Sequence, residues 1–246
     1  FNNIKLASKE FNVTLFTMYD DDDELNNLDK LKKYCVNIVT IKRSKIETYF
    51  NLILSLLTLK PLQVAYYESK KFQKRLDELL LEQQFDILHV YMLRMAHYIE
   101  NLDYFKILSL IDSMSLNISR RVKSESGLKK IIFKYEYFLI KNYEINMVDK
   151  FDKSLVVSNI DKDFIGKKNI KVLPVGVDIL KCTKSKELNK IVFTGNMGYF
   201  PNQNAVVWFV DNCFESIKKE IPSVSLVIVG KNPPKFIQDY HDDNNI

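Results

Sequence analysis

The sequence of 246 residues is poor in the features that mark several classes of protein. Its three cysteines, Cys35, Cys182 and Cys213, stand far apart, and no two of them form a C-x-x-C pair. This spacing argues against a disulfide framework or a cysteine zinc site, and it is typical of buried thiols in a reducing compartment. No apolar run approaches the roughly 20 residues that cross a bilayer as a helix. The sequence therefore predicts a protein without a transmembrane helix.

A large excess of one charge is also missing. The formal net charge is +5, and charged residues make up 27% of the chain. This mild basicity permits an anionic ligand or an anionic membrane surface but does not require nucleic acid. Hydrophobic residues reach 46% and aromatic residues 12%, which is enough for packed cores and excludes disorder of the whole chain.

The chain does not begin with methionine, and its last residues, 241–246, are polar. Its first residues have the pattern of a helix interior. We expect the sequence to be a fragment of a longer protein, cut at both ends.

The clearest pattern lies between Asn189 and Pro234. Lys190 to Thr194 predicts a buried strand, a helix with apolar residues near 3.6 spacing begins at Asn202, and Val224 to Val229 predicts a second buried strand. Strand, loop, helix and strand in this order form a βαβ unit of a parallel sheet. Ligands of open α/β sheets bind beyond the carboxyl ends of the strands. We therefore expect the loop from Gly195 to Asn202 to line a ligand site, with the first amides of the helix facing an anion.

Alternating strands and helices also fill the part of the chain before this unit. Polar residues from Lys181 to Asn189, without periodicity, predict a linker. We therefore divide the chain into an α/β domain at residues 1–175, a hinge or linker at residues 176–189, and the start of a second α/β domain at residues 190–246.

Four consecutive aspartates, Asp20 to Asp23, follow the first predicted strand. One interpretation is a DxD metal site, as in metal-dependent sugar transferases, where carboxylates hold a divalent cation. The other is a solvated loop that caps a helix predicted from Leu25 to Tyr34, and we favour the loop because runs of like charge stand in water.

An apolar stretch from Phe50 to Leu59 follows the basic residues Lys42, Arg43 and Lys45. It predicts a helix with Asn51, Ser55 and Thr58 on one stripe. This helix could lie on anionic lipid or pack in the core, and the sequence leaves both interpretations open.

Several stretches resemble one family. Pro174-Val-Gly-Val-Asp178 resembles a hinge motif P-N-G-V-D, with Val175 in place of Asn, and FTGNMGYFPN within Ile191 to Asn202 resembles the glycine loop of a nucleotide-sugar domain. Pro61 to Tyr67, Phe85 to Tyr98 and the pair Asp112-Ser113 resemble parts of the same family's N-terminal domain. Over nearly all of its length the chain is similar to GT-B glycosyltransferases of the retaining family 4 group, and most like bacterial exopolysaccharide- and exosortase-associated sugar transferases.

The resemblance implies a GT-B architecture of two Rossmann-like domains with parallel sheets, the second incomplete in this sequence. The nucleotide-sugar donor would bind the C-terminal domain and the acceptor the N-terminal domain. No metal and no cofactor would be required, since the donor is itself a substrate. The family usually carries an arginine and a lysine in or just after the glycine loop, whereas this chain has no cation between that loop and Lys218.

Candidate site residues come from both domains. Asp112 follows a predicted strand and could contact the sugar or acceptor, or it could cap the next helix. His97 has a weaker claim, and His89, inside a strand, is predicted to be a satisfied core histidine. Trp208 and Phe209 are predicted to be core because they lie on the apolar stripe of their helix. The resemblance assigns donor binding to the following loop residues: Gly195, Asn196, Met197, Gly198 and Asn202.

The resemblance therefore implies a metal-independent, retaining glycosyltransferase that moves a sugar from a nucleotide-sugar to a hydroxyl of a saccharide or lipid-linked acceptor in surface polysaccharide synthesis. We expect it in the cytoplasm, in peripheral contact with the inner membrane face, and without a nucleic-acid partner. Basic residues between Arg120 and Lys141 could face lipid-linked phosphates or form a solvated helix face. Two alternatives stay open: a nucleotide-sugar epimerase of the same fold, and a non-catalytic, degenerate transferase module. We expect the fragment alone to be inactive.

Overall fold

The computed structural model describes residues 1–176 and 189–242. The chain divides into two compact units, residues 1–178 and 179–246. Most of the predicted linker, including Cys182 and the end of the hinge motif, lies outside the described residues. Each unit is described by itself below.

The first unit alternates strands and helices. Its strands are β1 (Thr14–Tyr19), β2 (Asn37–Lys42), β3 (Ile87–Tyr91), β4 (Phe105–Ile111), β5 (Lys153–Val156) and β6 (Ile170–Val172). Its helices are α1 (Asn2–Ala7), α2 (Asp29–Lys32), α3 (Lys45–Thr58), α4 (Leu62–Tyr66), α5 (Lys70–Glu82), α6 (Met114–Ser124), α7 (Gly127–Asp149) and α8 (Asn159–Ile165). Two 3-10 helices, Asp22–Asn27 and Leu93–Tyr98, follow β1 and β3.

All strand pairs of this unit are parallel. β3, β4, β5 and β6 form one sheet in that order, and β1 pairs with β2 in a second sheet. Parallel neighbours need a crossover connection, which here is helical. The prediction of an α/β chain with parallel sheets is confirmed.

One core unites the two sheets of this unit. Ile41 of β2, Leu108 of β4 and Val156 of β5 belong to a single buried cluster, together with Ile140 and Val148 of α7. The cluster buries the strands against the helices and holds the carboxyl ends of the strands in place.

Serines set the beginnings of four helices. Ser44, Ser69, Ser113 and Ser158 precede α3, α5, α6 and α8, and each hydroxyl accepts a hydrogen bond from the amide three residues later. This satisfies an amide that the helix itself leaves without a partner. α8 ends at Gly166, which has the left-handed conformation that glycine adopts without strain.

The second unit contains β7 (Lys190–Thr194), α9 (Phe200–Phe209), a π-helical turn (Val210–Phe214), α10 (Glu215–Glu220), β8 (Ser225–Val229), α11 (Lys235–Gln238) and a final 3-10 helix (Asp239–Asp242). β7 and β8 are parallel neighbours. The predicted βαβ unit is therefore confirmed, with its helix beginning at Phe200 rather than Asn202.

Three predictions about local structure were wrong. Leu25 to Tyr34 is not one helix, because a 3-10 helix ends at Asn27 and α2 has a single turn. β7 is not fully buried, since its side chains alternate and Val192 is exposed. Trp208 is 61% exposed rather than core.

Trp208 follows the buried Val206 by two residues, which is about 200° around the helix, so its side chain faces away from the core. The π-helical turn that follows adds a residue to one turn of the helix. Phe214 rather than Trp208 then fills the core against Val224 and Leu226.

In the part of the chain that the structure describes, no helix is both long and apolar enough to cross a membrane.

Candidate functional site

Asp112 lies just beyond the carboxyl end of β4. The pairing of β4 with β5 shifts register between Ser109 and Ile111, and Ile111 has a φ of 69°. A branched residue is strained in this left-handed region, and such strain and bulges re-aim side chains near functional sites. The sequence predicts a strand that ends before Asp112 but not the backbone irregularity at the end of that strand.

Asp112 does not cap α6, because the neighbouring residue Ser113 is the N-cap. The Ser113 hydroxyl caps α6 by accepting a hydrogen bond from the Leu116 amide. The Ser113 hydroxyl also donates to the buried carboxylate of Glu144, which accepts a further bond from the Met114 amide at 2.7 Å. Ser113 and Glu144 thus stabilise the turn before α6, and the carboxylate of Asp112 is not needed for this.

The surroundings of Asp112 raise the proton affinity of its carboxylate. Partial burial, and then the carboxylate of Asp161, raise its pKa above the ordinary value, while Arg120 and a hydrogen bond from Asn117 act in the opposite direction. Asp161 is itself buried, accepting from the Ser113 amide at 2.8 Å. An exposed carboxylate with a raised pKa at a strand end has the chemistry of a proton acceptor.

The two candidate histidines are placed differently. Among the described residues, neither ring nitrogen of His97 has a hydrogen-bond partner, its ring stacks on Tyr98 at 4.0 Å, and burial lowers its pKa to about 4. His89 is satisfied, as predicted, through its Nε2 and the Ser109 hydroxyl at 2.8 Å. Burial of the ring lowers the pKa of His89, although the residue shares the more exposed face of β3 with Ile87 and Tyr91 and lies outside the core cluster.

A pocket near the carboxyl ends of β2 and β3 was missed by the sequence reasoning. It has a volume of about 280 Å³, and its lining includes Leu52, Leu62, Tyr66, Tyr67 and Arg94. The Arg94 guanidinium lies 4.3 Å from the centre of the Tyr67 ring. Aromatic faces beside a half-buried guanidinium suit a ligand that joins a sugar ring to an anionic group. The hint in the sequence was an arginine three residues after the end of a strand.

Two residues of the acidic run from Asp20 to Asp23 form ion pairs with basic residues at the end of β2 and directly after it. Asp20 receives a two-pronged bond from Arg43, with both N–O distances at 2.7 Å, and Asp22 pairs with Lys42 at 2.8 Å. The Glu24 carboxylate accepts from the Asp20 amide. In residues 1–176 and 189–242, no three metal-ligating side chains converge on one point. These contacts favour the loop interpretation over the DxD site.

The glycine loop of the second unit is tied to itself and to the turn after β8. The Asn196 side chain accepts from the Gly198 amide at 3.0 Å, and the Asn202 side chain donates to the Asn196 carbonyl at 3.0 Å. The Met197 amide donates to the Lys231 carbonyl at 2.8 Å. The Met197 side chain is buried in the core of this unit.

The amides at the start of α9 also have partners. Those of Asn202 and Gln203 donate to the Tyr199 carbonyl, and Pro201 has no amide hydrogen. Packing accounts for the glycine at position 195, because a Cβ there would lie 2.9 Å from the side-chain nitrogen Nδ2 of Asn202. An anion at this loop would therefore have to replace bonds that the loop already makes.

Lys231 is the cation that the sequence reasoning missed at this loop. Its backbone bond to Met197 places it at the same edge of the β7–β8 sheet as the loop. The hint was a lysine directly after the glycine that closes the second strand.

No protein-family model matches the chain. It is similar to a protein of Klebsiella pneumoniae described as an uncharacterized 44.6 kDa protein in cps region, with 25% identity over 239 residues. The similarity covers 92% of this chain and 58% of that protein. The chain thus spans somewhat more than half of the relative's length.

Proposed function

We propose that this chain belongs to a glycosyltransferase that moves a sugar from a nucleotide-sugar to a hydroxyl acceptor during synthesis of a surface polysaccharide. The relative from a cps region, a capsule region, supports the polysaccharide setting. Parallel α/β units with polar loops at the carboxyl ends of their strands support a nucleotide-sugar ligand.

The observation that carries the proposal is the irregular end of β4. The register shift and the left-handed Ile111 direct Asp112 away from the cap of α6, which Ser113 supplies. A strained turn that frees a carboxylate has a cost in stability, so it is best explained by a role for that carboxylate.

In the proposed reaction, the bond between the anomeric carbon and the donor diphosphate breaks. A bond from the acceptor oxygen to that carbon forms, and the acceptor's proton leaves with the nucleoside diphosphate. Asp112 would orient the reacting sugars by accepting a hydrogen bond from a hydroxyl. Arg94 and Tyr67 of the first unit would hold the acceptor. Within the second unit, Lys231 would pair with a phosphate of a bound nucleotide.

The test uses the full-length protein, labelled UDP- and GDP-sugars and lipid-linked or saccharide acceptors. Asp112→Asn should lower transfer by about 100-fold, because a charge-assisted hydrogen bond that orients the reacting hydroxyl is replaced by a weaker neutral one. Asp103→Asn, an exposed aspartate just before β4, is the matched control and should leave the rate unchanged. Equal rates for the two variants, with both folded by circular dichroism, would refute the role of Asp112. Interconversion of nucleotide-sugars without transfer would instead identify an epimerase.

A non-catalytic module is the second candidate, because the glycine loop bonds to itself and has no cation from Ile191 to Ile217. Titration calorimetry of the full-length protein with UDP, GDP and their sugars separates the two functions. The enzyme should bind one of them, Lys231→Ala should weaken binding about tenfold, and Lys219→Ala on α10 should not. Absence of binding to every nucleotide would support the non-catalytic module.

A further inference from the structure

Helices α3 and α7 turn their apolar faces outward. The exposed residues of α3 recur at helical spacing and are Ile46, Tyr49, Phe50, Ile53, Leu56 and Leu57. Those in the first half of α7 do the same and are Leu128, Ile131, Ile132, Tyr135 and Phe138. Leu56, Ile131 and Ile132 line one groove, so the two stripes adjoin. We call these eleven residues the α3–α7 face.

The inward contacts of α3 fix this orientation. Thr48 and Ser55 are buried, and the Asn51 side chain donates to the Glu68 carbonyl at 2.8 Å. The polar stripe of the helix therefore packs against the protein, while Ile46 and Leu57 are 84% and 81% exposed. A soluble surface helix has the opposite arrangement. The core-packing interpretation of this helix is wrong.

The carboxylates of α3 and of residues 127–143 in α7 are also turned inward. Glu47 accepts from the Lys70 amide at 2.8 Å, and the buried Glu136 accepts from the Leu62 amide at 3.1 Å. They are the only acidic residues in 45–59 and 127–143. Positive charge remains outward along the face, at Lys45, Lys129 and Lys134.

We propose that the α3–α7 face docks the protein on an anionic lipid surface. Its two apolar stripes would enter the boundary between headgroups and acyl chains, and the flanking lysines would pair with lipid phosphates. A contiguous surface of eleven exposed apolar side chains is uncommon on a monomer that contacts only water. The inference stands independently of glycosyl transfer, since it rests on no residue of the proposed active site.

The positive charge of the α3–α7 face favours an anionic lipid surface over a second copy of the chain as its binding partner. In a twofold dimer the same face would meet itself, which would bring the lysines of both copies together without carboxylates to pair with them. An anionic membrane supplies the missing negative charge without requiring shape complementarity. Lipid is therefore the occupant that the charges of this face favour.

Vesicle co-sedimentation of the full-length protein tests the proposal. We expect binding to phosphatidylcholine vesicles that contain phosphatidylglycerol, and weaker binding to pure phosphatidylcholine. Leu57→Asp and Ile131→Asp should each lower partitioning by about tenfold, because burial of one such side chain contributes at least that factor. Lys129→Gln with Lys134→Gln should reduce the preference for anionic vesicles by about tenfold or more.

Leu81→Asp is the matched control, because Leu81 on α5 is 90% exposed and lies outside the α3–α7 face. It should bind vesicles like the wild type. No vesicle binding by the wild type, or an equal loss in Leu81→Asp, would overturn the proposal. Light scattering that finds a dimer, lost in Leu57→Asp, together with no vesicle binding would assign the face to a second copy instead. None of these measurements requires transfer activity, so failure of the proposed function would leave them interpretable.

Discussion

At the scale of single residues, Arg43 organises the loops after β1 and β2. Its side chain is only 7% exposed, is paired with Asp20 and lies 3.9 Å from the centre of the Tyr66 ring. The Arg43 hydrogen bond holds the pKa of Asp20 below its usual value. The contribution of this pair to stability is therefore present at neutral pH, and it is lost as pH falls through the lowered pKa.

Replacing Asp20 should reveal this structural role. Asp20→Asn leaves a nearly buried guanidinium without its countercharge, and we expect the free energy of unfolding to fall by about 2 kcal/mol. Asp23→Asn, in the same acidic run, should change it by less than about 0.5 kcal/mol. Urea denaturation at neutral pH measures both variants. Equal effects, or a dependence on added divalent metal, would return the DxD site to consideration.

His97 should make the fold sensitive to mild acid. Burial lowers its pKa from 6.5 to about 4 in the folded state, so between these values the unfolded chain binds a proton that the folded chain excludes. The free energy of unfolding therefore falls as pH drops from 6.5 towards 4, by roughly 3 kcal/mol in the limit.

The measurement is urea denaturation at a series of pH values. His97→Phe should flatten the pH dependence by one proton, whereas His241→Gln, at an exposed histidine, should keep the wild-type slope. A His97→Phe variant with the wild-type slope would contradict the assignment.

At the scale of elements, the loops after β7 and β8 cross at two glycines. A Cβ at Gly230 would overlap the carbonyl oxygen of Gly195, and the Gly195 amide donates to the Val229 carbonyl at 3.0 Å. The crossing brings the glycine loop against the turn that carries Lys231. Backbone contact, rather than a left-handed turn, requires glycine at position 230.

Gly230→Ala should therefore destabilise the second unit by about 3 kcal/mol, because backbone cannot move aside as a flexible side chain can. Gly176→Ala, where a Cβ meets nothing within 4 Å, is the matched control and should be nearly neutral. Hydrogen exchange of the β7 and β8 amides should accelerate in Gly230→Ala alone. Unchanged exchange there would show that the loops can separate without cost.

The order and type of most elements could be predicted from the sequence, because hydrophobic periodicity and Gly, Pro and Ser signals act locally. The register shift beside Ile111 and the π-helical turn at Val210–Phe214 could not. Both add or displace one residue without changing composition, and both depend on partners distant in the chain. The register shift lies directly before Asp112, and the π-helical turn includes the buried Phe214.

At the scale of the whole molecule, the sequence also does not show which side of a surface helix faces outward, because this depends on partners distant in the chain. The sequence shows that α3 has an apolar side and a polar side but not which side packs inward, since Glu68 and the groove residues of α7 decide that. Asp112 and the glycine loop could be named from strand ends. Arg94 and Lys231 needed the structure, because only tertiary contacts place them at a pocket or beside the loop.

The two units should differ in stability. The first unit buries one large cluster between its helices and parallel strands. In residues 189–242, the second unit shows two strands and two small clusters, with Val192 and Val229 exposed. Two strands with little covering are marginal by themselves, and opening free energies follow local burial.

Native-state hydrogen exchange of the 246-residue chain measures this difference. We expect the amides of β7 and β8 to exchange at least about tenfold faster than those of β4 and β5, which corresponds to about 1.4 kcal/mol in opening free energy. A low concentration of urea should widen the gap, because the second unit should open before the first. Equal protection in both units, with equal urea dependence, would mean that they unfold as one cooperative body.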